Sequence, residues 1–182
     1  MKIHTCPNRF RLSTLTPLLV LALAVPWVAA QDQSGEFSKG VIDIGIVAKD
    51  VEKSAKFYTE AIGLTEVKGF SVTGEMGKKI GLIDNQPADV RVFVPGSGEG
   101  STRIKLMSFP QAPGKAADQS FIHSTYGFRY LTLFVASTDQ ALERLKKAGV
   151  KPIGETPLSL GGTSRLTTVR DPDGNFIELI GP

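Results

Sequence analysis

The chain repeats one pattern of strand followed by helix, and this internal repeat restricts the folds it can adopt. Residues 41–48 carry isoleucine at every second position and predict a strand, and the apolar spacing after Asp50 predicts a helix that ends at Gly63. The same order returns at 129–149, where a strand precedes a helix with a capping-box start and a final glycine. The chain is therefore expected to consist of two similar halves.

The spacing of matched residues defines the repeat further. The first strands are 87 residues apart, since Asp43 matches Tyr130, whereas the glycines that end the helices are 86 residues apart. Further along, Ile104-Lys-Leu-Met107 matches residues 177–180 at an offset of 73. The first half also contains extended segments, predicted at 64–73, 89–95 and 102–109. Each half is thus predicted to be a strand, a helix and three strands.

Two halves of this kind have a physical reason to pair. One open, curled sheet leaves its edge unpaired and its concave face uncovered, and a second copy covers both. The sequence leaves open whether the halves pair within one chain or are exchanged between two chains. A monomer and a homodimer both agree with it.

The last twelve residues combine a tight turn with a strand that carries one acidic residue. Asp171-Pro-Asp-Gly174 places proline and glycine at turn positions that favour them. In the strand that follows, Glu178 shares one face with Phe176 and Ile180, while the residues between them face the other way. The Glu178 carboxylate is therefore expected to point into a pocket.

This ending and the repeat resemble the vicinal oxygen chelate superfamily, the glyoxalase, bleomycin-resistance and extradiol-dioxygenase group. The resemblance covers nearly all of 41–182, and it is strongest at 41–64 and 127–182. It implies an α+β fold in which two βαβββ modules form paired curved mixed sheets around a central cavity. A single domain then comprises module one (41–109), a connector (110–126) and module two (127–182).

The resemblance also implies where the family's metal ligands would fall. They come from the first and last strands of each module, here Asp43, Lys105, Tyr130 and Glu178, and only Glu178 is the usual residue. A protonated lysine has no lone pair, a neutral phenol is a weak ligand, and Lys105 would repel a cation held by the two carboxylates. We therefore favour no cofactor, and a divalent metal on Asp43 and Glu178 is the alternative.

These residues suggest two interpretations of the cavity. In the first, Lys105 captures an anionic ligand or a developing oxyanion, Tyr130 is a second donor, and Glu178 or Asp43 is the base. Glu178, Lys105 and Tyr130 are then the candidate catalytic residues, and all three together with Asp43 and Arg103 are the candidate ligand-binding residues. In the second, Arg103 and Lys105 share a strand face and neutralise two carboxylates in an internal ion pair.

His123 is the one histidine after residue 30, and it lies in the connector. It is expected to be exposed or locally hydrogen-bonded, as loop residues commonly are. The alternative is a proton shuttle that reaches over the cavity. No catalytic role is assigned to it.

Residues 1–30 have the pattern of a secretory signal peptide, and a polar leader follows at 31–40. The start is basic, the apolar core is too short to span a bilayer, and small residues precede the expected cleavage site. Cleavage removes the only cysteine and three basic residues, which leaves 18 basic and 18 acidic residues. A neutral chain lacks the broad positive field that nucleic acid requires. We expect an exported protein, periplasmic or extracellular, with no stable membrane insertion after cleavage.

The sequence thus predicts an exported protein that binds a small organic molecule in the cavity between its modules, with the family's metal site degenerate. The alternative is a divergent lyase, isomerase or dioxygenase. Such an enzyme would stabilise an enediolate or enolate through a metal on Asp43 and Glu178, or through Lys105 and Tyr130.

Overall fold

The computed structural model describes residues 37–98 and 100–182, which form two four-stranded sheets and their accompanying helices. The signal peptide predicted at 1–30 lies outside the described residues, as do residues 31–36 of the predicted leader. Export therefore remains a prediction.

The first sheet is built from module one. Its strand order is β1-β4-β3-β2, with β1 parallel to β4 and the other neighbours antiparallel. The strands are β1 (Asp43–Val47), β2 (Thr65–Val72), β3 (Ala88–Val94) and β4 (Arg103–Met107).

The second sheet repeats this topology in module two. Its order is β5-β8-β7-β6, and again only the first pair is parallel. The strands are β5 (Tyr130–Phe134), β6 (Leu158–Gly161), β7 (Ser164–Arg170) and β8 (Phe176–Gly181). The predicted α+β fold of two βαβββ modules is confirmed.

The main helices of the two modules differ by the one residue that the repeat indicates. In module one, α1 (Val51–Lys56) begins after Asp50, whose carboxylate accepts from the Lys53 N–H, and continues as a π-helical segment (Phe57–Ile62). In module two the helix is α-helical throughout (α3, Thr138–Lys147). A π-helical turn accommodates one extra residue, which explains why the offset between the modules falls from 87 to 86 along the helix.

A short helix between β2 and β3, α2 (Gly74–Lys79), was not predicted. Thr73 caps it by accepting a hydrogen bond from the Met76 N–H at 3.3 Å. Its residues are mostly charged or glycine, so no apolar periodicity marks it in the sequence.

The two modules share one hydrophobic core, which lies between the sheets and the helices. Its buried members include Tyr58 and Ala61 from the π-helical segment, Leu145 from α3, and Ile104 and Leu179 from the two sheets. The π-helical segment and α3 also pack against each other. Within the single chain, the helices and one face of each sheet therefore pack together.

The Asp-Pro-Asp-Gly turn joins module two to the helix of module one. Asp171 is buried, and its Oδ2 accepts a hydrogen bond from the Tyr58 hydroxyl at 3.1 Å. Its Oδ1 accepts from the backbone N–H groups of Asp173 and Asn175 at 2.9 and 2.8 Å. Burial, and then the neighbouring Asp171 carboxylate, raise the pKa of Tyr58 well above its ordinary range, so the phenol keeps its proton.

Asp173 makes the second contact between this turn and module one. Its carboxylate accepts from the Lys49 N–H at 3.2 Å and from the Ser54 hydroxyl at 3.4 Å. Lys49 and Ser54 flank the start of α1, where acceptors are favourable because the first N–H groups of a helix lack partners. One turn thus holds the helix of module one at two places.

Within residues 37–98 and 100–182, we find no helix that is both long and apolar enough to cross a membrane.

We predict that Tyr58→Phe lowers the free energy of unfolding by about 1–2 kcal/mol, because it removes a donor from the buried Asp171 carboxylate. Urea denaturation followed by circular dichroism measures the change. Tyr126→Phe is the matched control, since Tyr126 is fully exposed, and it should leave stability unchanged. Equal stability of Tyr58→Phe and the unmodified protein would contradict a stabilising role of the hydrogen bond between Tyr58 and Asp171.

Candidate functional site

The predicted site residues lie on the faces of the two sheets that point away from the helices, which we call the open faces. In the first sheet, Asp43 pairs in register with Arg103, and Lys105 follows two residues later on the same face. In the second sheet, Tyr130 and Glu178 share one face by the same alternation. The intervening residues of β4 and β8 are buried in the core.

On the first open face, the Asp43 carboxylate forms ion pairs with two cationic side chains. Its carboxylate accepts two hydrogen bonds from the Arg103 guanidinium, Nε to Oδ1 at 2.9 Å and Nη2 to Oδ2 at 2.6 Å. The Lys105 Nζ lies 2.8 Å from Oδ2. The hydrogen bonds from Arg103 and then Lys105 lower the pKa of Asp43 to about 2. Asp43 is therefore ionised at neutral pH, and its single negative charge faces two positive charges.

On the second open face, Glu178 has a neutral partner. Its Oε2 accepts a hydrogen bond from the Thr132 hydroxyl at 2.6 Å, across the register pair of β5 and β8. Tyr130 lies on the same face, and about half of its surface is exposed. Thr132 was missed by the sequence reasoning, although its position two residues after Tyr130 could have indicated it.

The two groups are separate in the structure. Among the described residues, no hydrogen bond or salt bridge joins Asp43, Arg103 or Lys105 to Tyr130 or Glu178. The structure contains the predicted ion pair of Arg103 and Lys105 with Asp43, and no salt bridge from either side chain to Glu178 is found among the described residues. Asp43 alone takes both cations, because the parallel register of β1 and β4 places it beside them.

The connector covers one end of the second open face. The Arg170 guanidinium stacks on the Phe176 ring at 4.2 Å and donates to the backbone carbonyls of Gln119 and Ser120. His123 is exposed, and its ring stacks on Phe121. This exposed position agrees with the expectation for a loop histidine.

A cleft of about 620 Å³ lies between the modules, at a different place from the predicted residues. Its walls include Ile44 and Ile104 of the first sheet and Leu131 and Leu133 of the second. None of the five predicted site residues lines it. The cleft is therefore distinct from the cavity that the sequence analysis assigned to those five residues.

Comparison with known proteins identifies the family. The model of the Glyoxalase/Bleomycin resistance protein/Dioxygenase superfamily matches residues 40–179. The chain belongs to this superfamily. Uncharacterized protein YwkD of Bacillus subtilis (strain 168) is 29% identical over 143 residues, which cover 78% of this chain and 95% of that protein.

Solved structures of other proteins have the same fold. A glyoxalase family protein from Bacillus cereus superposes with a TM-score of 0.64 at 26% identity, over 78% of this chain and 92% of its own. TnmS3, an antibiotic binding protein from Streptomyces sp. CB03234, superposes with a TM-score of 0.52 at 23% identity, over 78% and 94%. At 23% identity, the similarity to TnmS3 shows only that the two proteins share a fold.

The side chains at the superfamily's metal positions do not fit a divalent cation as they are placed. Both carboxylate oxygens of Asp43 already accept from cations, and the Lys105 ammonium would repel a metal bound beside them. Tyr130 offers only a weak phenol ligand. Over residues 37–98 and 100–182, no three His, Cys, Asp or Glu side chains come together as a metal-binding group.

The low pKa of Asp43 predicts a stability contribution that depends on pH. Because the folded state lowers this pKa from 3.8 to about 2, the contribution is fully present above the unfolded pKa and is lost as the pH falls toward 2. At about pH 6, Asp43→Asn should lower the free energy of unfolding by about 1 kcal/mol, a value reduced by the exposure of Arg103 to solvent.

Urea denaturation at about pH 6 and at about pH 2 measures this contribution, and the difference between Asp43→Asn and the unmodified protein should shrink at the lower pH. Asp84→Asn is the control, since Asp84 is exposed. A difference that stays constant with pH would mean that the ion pair is not its origin.

Proposed function

We propose that this protein binds a small organic molecule over the open faces of its sheets, without the metal that its superfamily commonly holds there. The observation that carries the proposal is the engagement of Asp43 by both Arg103 and Lys105, at 2.6 and 2.8 Å. Two cations and one carboxylate leave a surplus of positive charge. Such a surplus favours an anionic or electron-rich group of a ligand over a cation.

Apolar side chains beside this cluster offer a surface for the rest of the ligand. The Lys105 Nζ lies 5.7 Å from the centre of the Phe70 ring, and Val47 on the same open face exposes more than half of its surface. On the second open face, Tyr130 and Phe134 likewise expose more than half of theirs. Exposed apolar groups next to a few polar ones are typical of small-molecule sites. The ligand is thus expected to combine an aromatic or aliphatic body with an acidic or carbonyl group. The fold of the antibiotic binding protein TnmS3 offers a precedent for a binding role.

One observation favours a catalytic alternative within the same superfamily. The Thr132 hydroxyl holds the Glu178 carboxylate in one orientation at 2.6 Å, as a general base requires. Lys105 and Tyr130 would then stabilise the oxyanion of an enolate or enediolate. This alternative requires one substrate to reach both open faces.

Lys105→Met is expected to weaken binding of anilinonaphthalene sulfonate, an aromatic anion, by about tenfold, because a hydrogen bond to a charged group contributes on the order of 1.5 kcal/mol. Fluorescence titration measures the affinity. Lys115→Met, which changes an exposed lysine of the connector, is the matched control and should bind like the unmodified protein. Equal affinities in all three proteins would contradict a ligand site at Lys105.

Elemental analysis completes this test. The mature protein, purified without chelator and without a histidine tag, is expected to contain no stoichiometric zinc, nickel, manganese or iron. One equivalent of any of these metals that disappears in Glu178→Gln would overturn the metal-free proposal and favour the enzyme.

We also propose that the protein acts outside the cytoplasm, which rests on the signal-like pattern of residues 1–30. Mass spectrometry of the exported protein from its native host should give a chain that begins near Gln31. A chain that retains its first thirty residues would contradict cleavage.

A further inference from the structure

The cleft between the modules is mainly apolar but contains one cationic side chain. Its apolar walls come from both modules and include Ile42, Ile44, Ile62, Leu131, Leu133 and Leu179. Arg144 of α3 lies in the same lining, together with polar Gln140. The volume of about 620 Å³ falls within the roughly 300–1,000 Å³ that ligand sites occupy.

The guanidinium of Arg144 is only partly satisfied. Its Nη2 donates to the Ile62 carbonyl at the end of the π-helical segment, at 3.1 Å. Its Nε is buried and has no hydrogen-bond partner in the part of the chain that the structure describes. Among residues 37–98 and 100–182, no carboxylate forms a salt bridge with it. A guanidinium has five N–H donors, and Nη2 alone has a described hydrogen-bond partner, so Arg144 keeps donors for an anion at the cleft.

The repeat allows the surroundings of Arg144 to be compared with the related end of module two. In module two, the turn between β7 and β8 supplies the carboxylates of Asp171 and Asp173 to the helix of module one. The related hairpin of module one precedes β4, and the offset of 73 places Gly98 and Gly100 at those two positions. At this end of the molecule the hairpin therefore lacks the two carboxylates, and the cleft lies between it and α3.

We propose that the cleft binds a small organic anion with an aliphatic body, whose carboxylate pairs with Arg144. The carboxylate takes the place that the turn carboxylates hold at the other end of the molecule, and the aliphatic part contacts Ile44, Leu131 and Leu133. None of the five site residues of the open faces lines this cleft, so the site goes beyond the function proposed above.

The test uses octanoate as the probe and octanol as its neutral counterpart, both titrated calorimetrically into the full mature chain. Arg144→Met keeps most of the aliphatic stem and removes the guanidinium. It should weaken octanoate binding by about tenfold to a hundredfold and leave octanol binding unchanged. Arg165→Met is the matched control, because Arg165 pairs with Asp139 and does not line the cleft.

Arg144→Lys guards against a folding defect, since it retains a cation beside Ile62. It should keep octanoate affinity within about tenfold of the unmodified protein. Circular dichroism establishes that each variant is folded.

Three results would overturn the proposal. Octanoate could bind no more tightly than octanol, or equally well to Arg144→Met. Binding that is lost in Lys105→Met and retained in Arg144→Met would place the anion on the open face instead.

Discussion

The hydrogen bond between the Tyr58 hydroxyl and the buried Asp171 carboxylate attaches the turn before β8 of module two to the helix of module one. The same carboxylate accepts from the backbone of its own turn, so the turn, the helix of module one and the start of β8 are constrained together. A buried carboxylate is tolerated only when its oxygens are paired, which makes this arrangement specific. Glu178 lies on β8, the strand that follows this turn, and its register with β5 and β7 places it on the second open face.

The repeat makes the two halves similar, and the departures from similarity carry the chemistry. Turn carboxylates fill one end of the joint between modules, whereas glycines stand at the related positions of the other end, where the cleft and Arg144 lie. A similar contrast exists between the open faces. Asp43 is held by two cations, while Glu178 is held by a neutral hydroxyl. Two sheets of the same topology thus place their carboxylates beside different partners, which are cationic at Asp43 and neutral at Glu178.

Several features of the fold could be predicted because they depend on neighbours in sequence. Strand alternation placed Glu178 and Lys105 opposite the core, and Asp50 was correctly identified as a helix cap. The π-helical segment was visible only as a slip of one residue in the repeat, and α2 left no apolar pattern. Features that depend on pairing between distant strands were harder. The hydrogen bond from Thr132 to Glu178 and the pairing of Asp43 with two cationic side chains depend on the registers of the sheets. These registers cannot be derived from the sequence alone.

The sequence by itself determined the superfamily, the two βαβββ modules and the face on which each candidate residue lies. The superfamily followed from the resemblance of the ending and the repeat, whereas the modules and the faces are set by periods of two and about 3.6 residues and by caps and turns, which act over a few positions. Only the tertiary structure decided that Asp43 neutralises part of the positive charge alone, and that Arg144 lines a cleft between the modules with one buried nitrogen that has no partner among the described residues. Those outcomes depend on contacts between residues 60 or more apart in the chain, as with Arg103 and Asp43, and packing of the whole domain selects them.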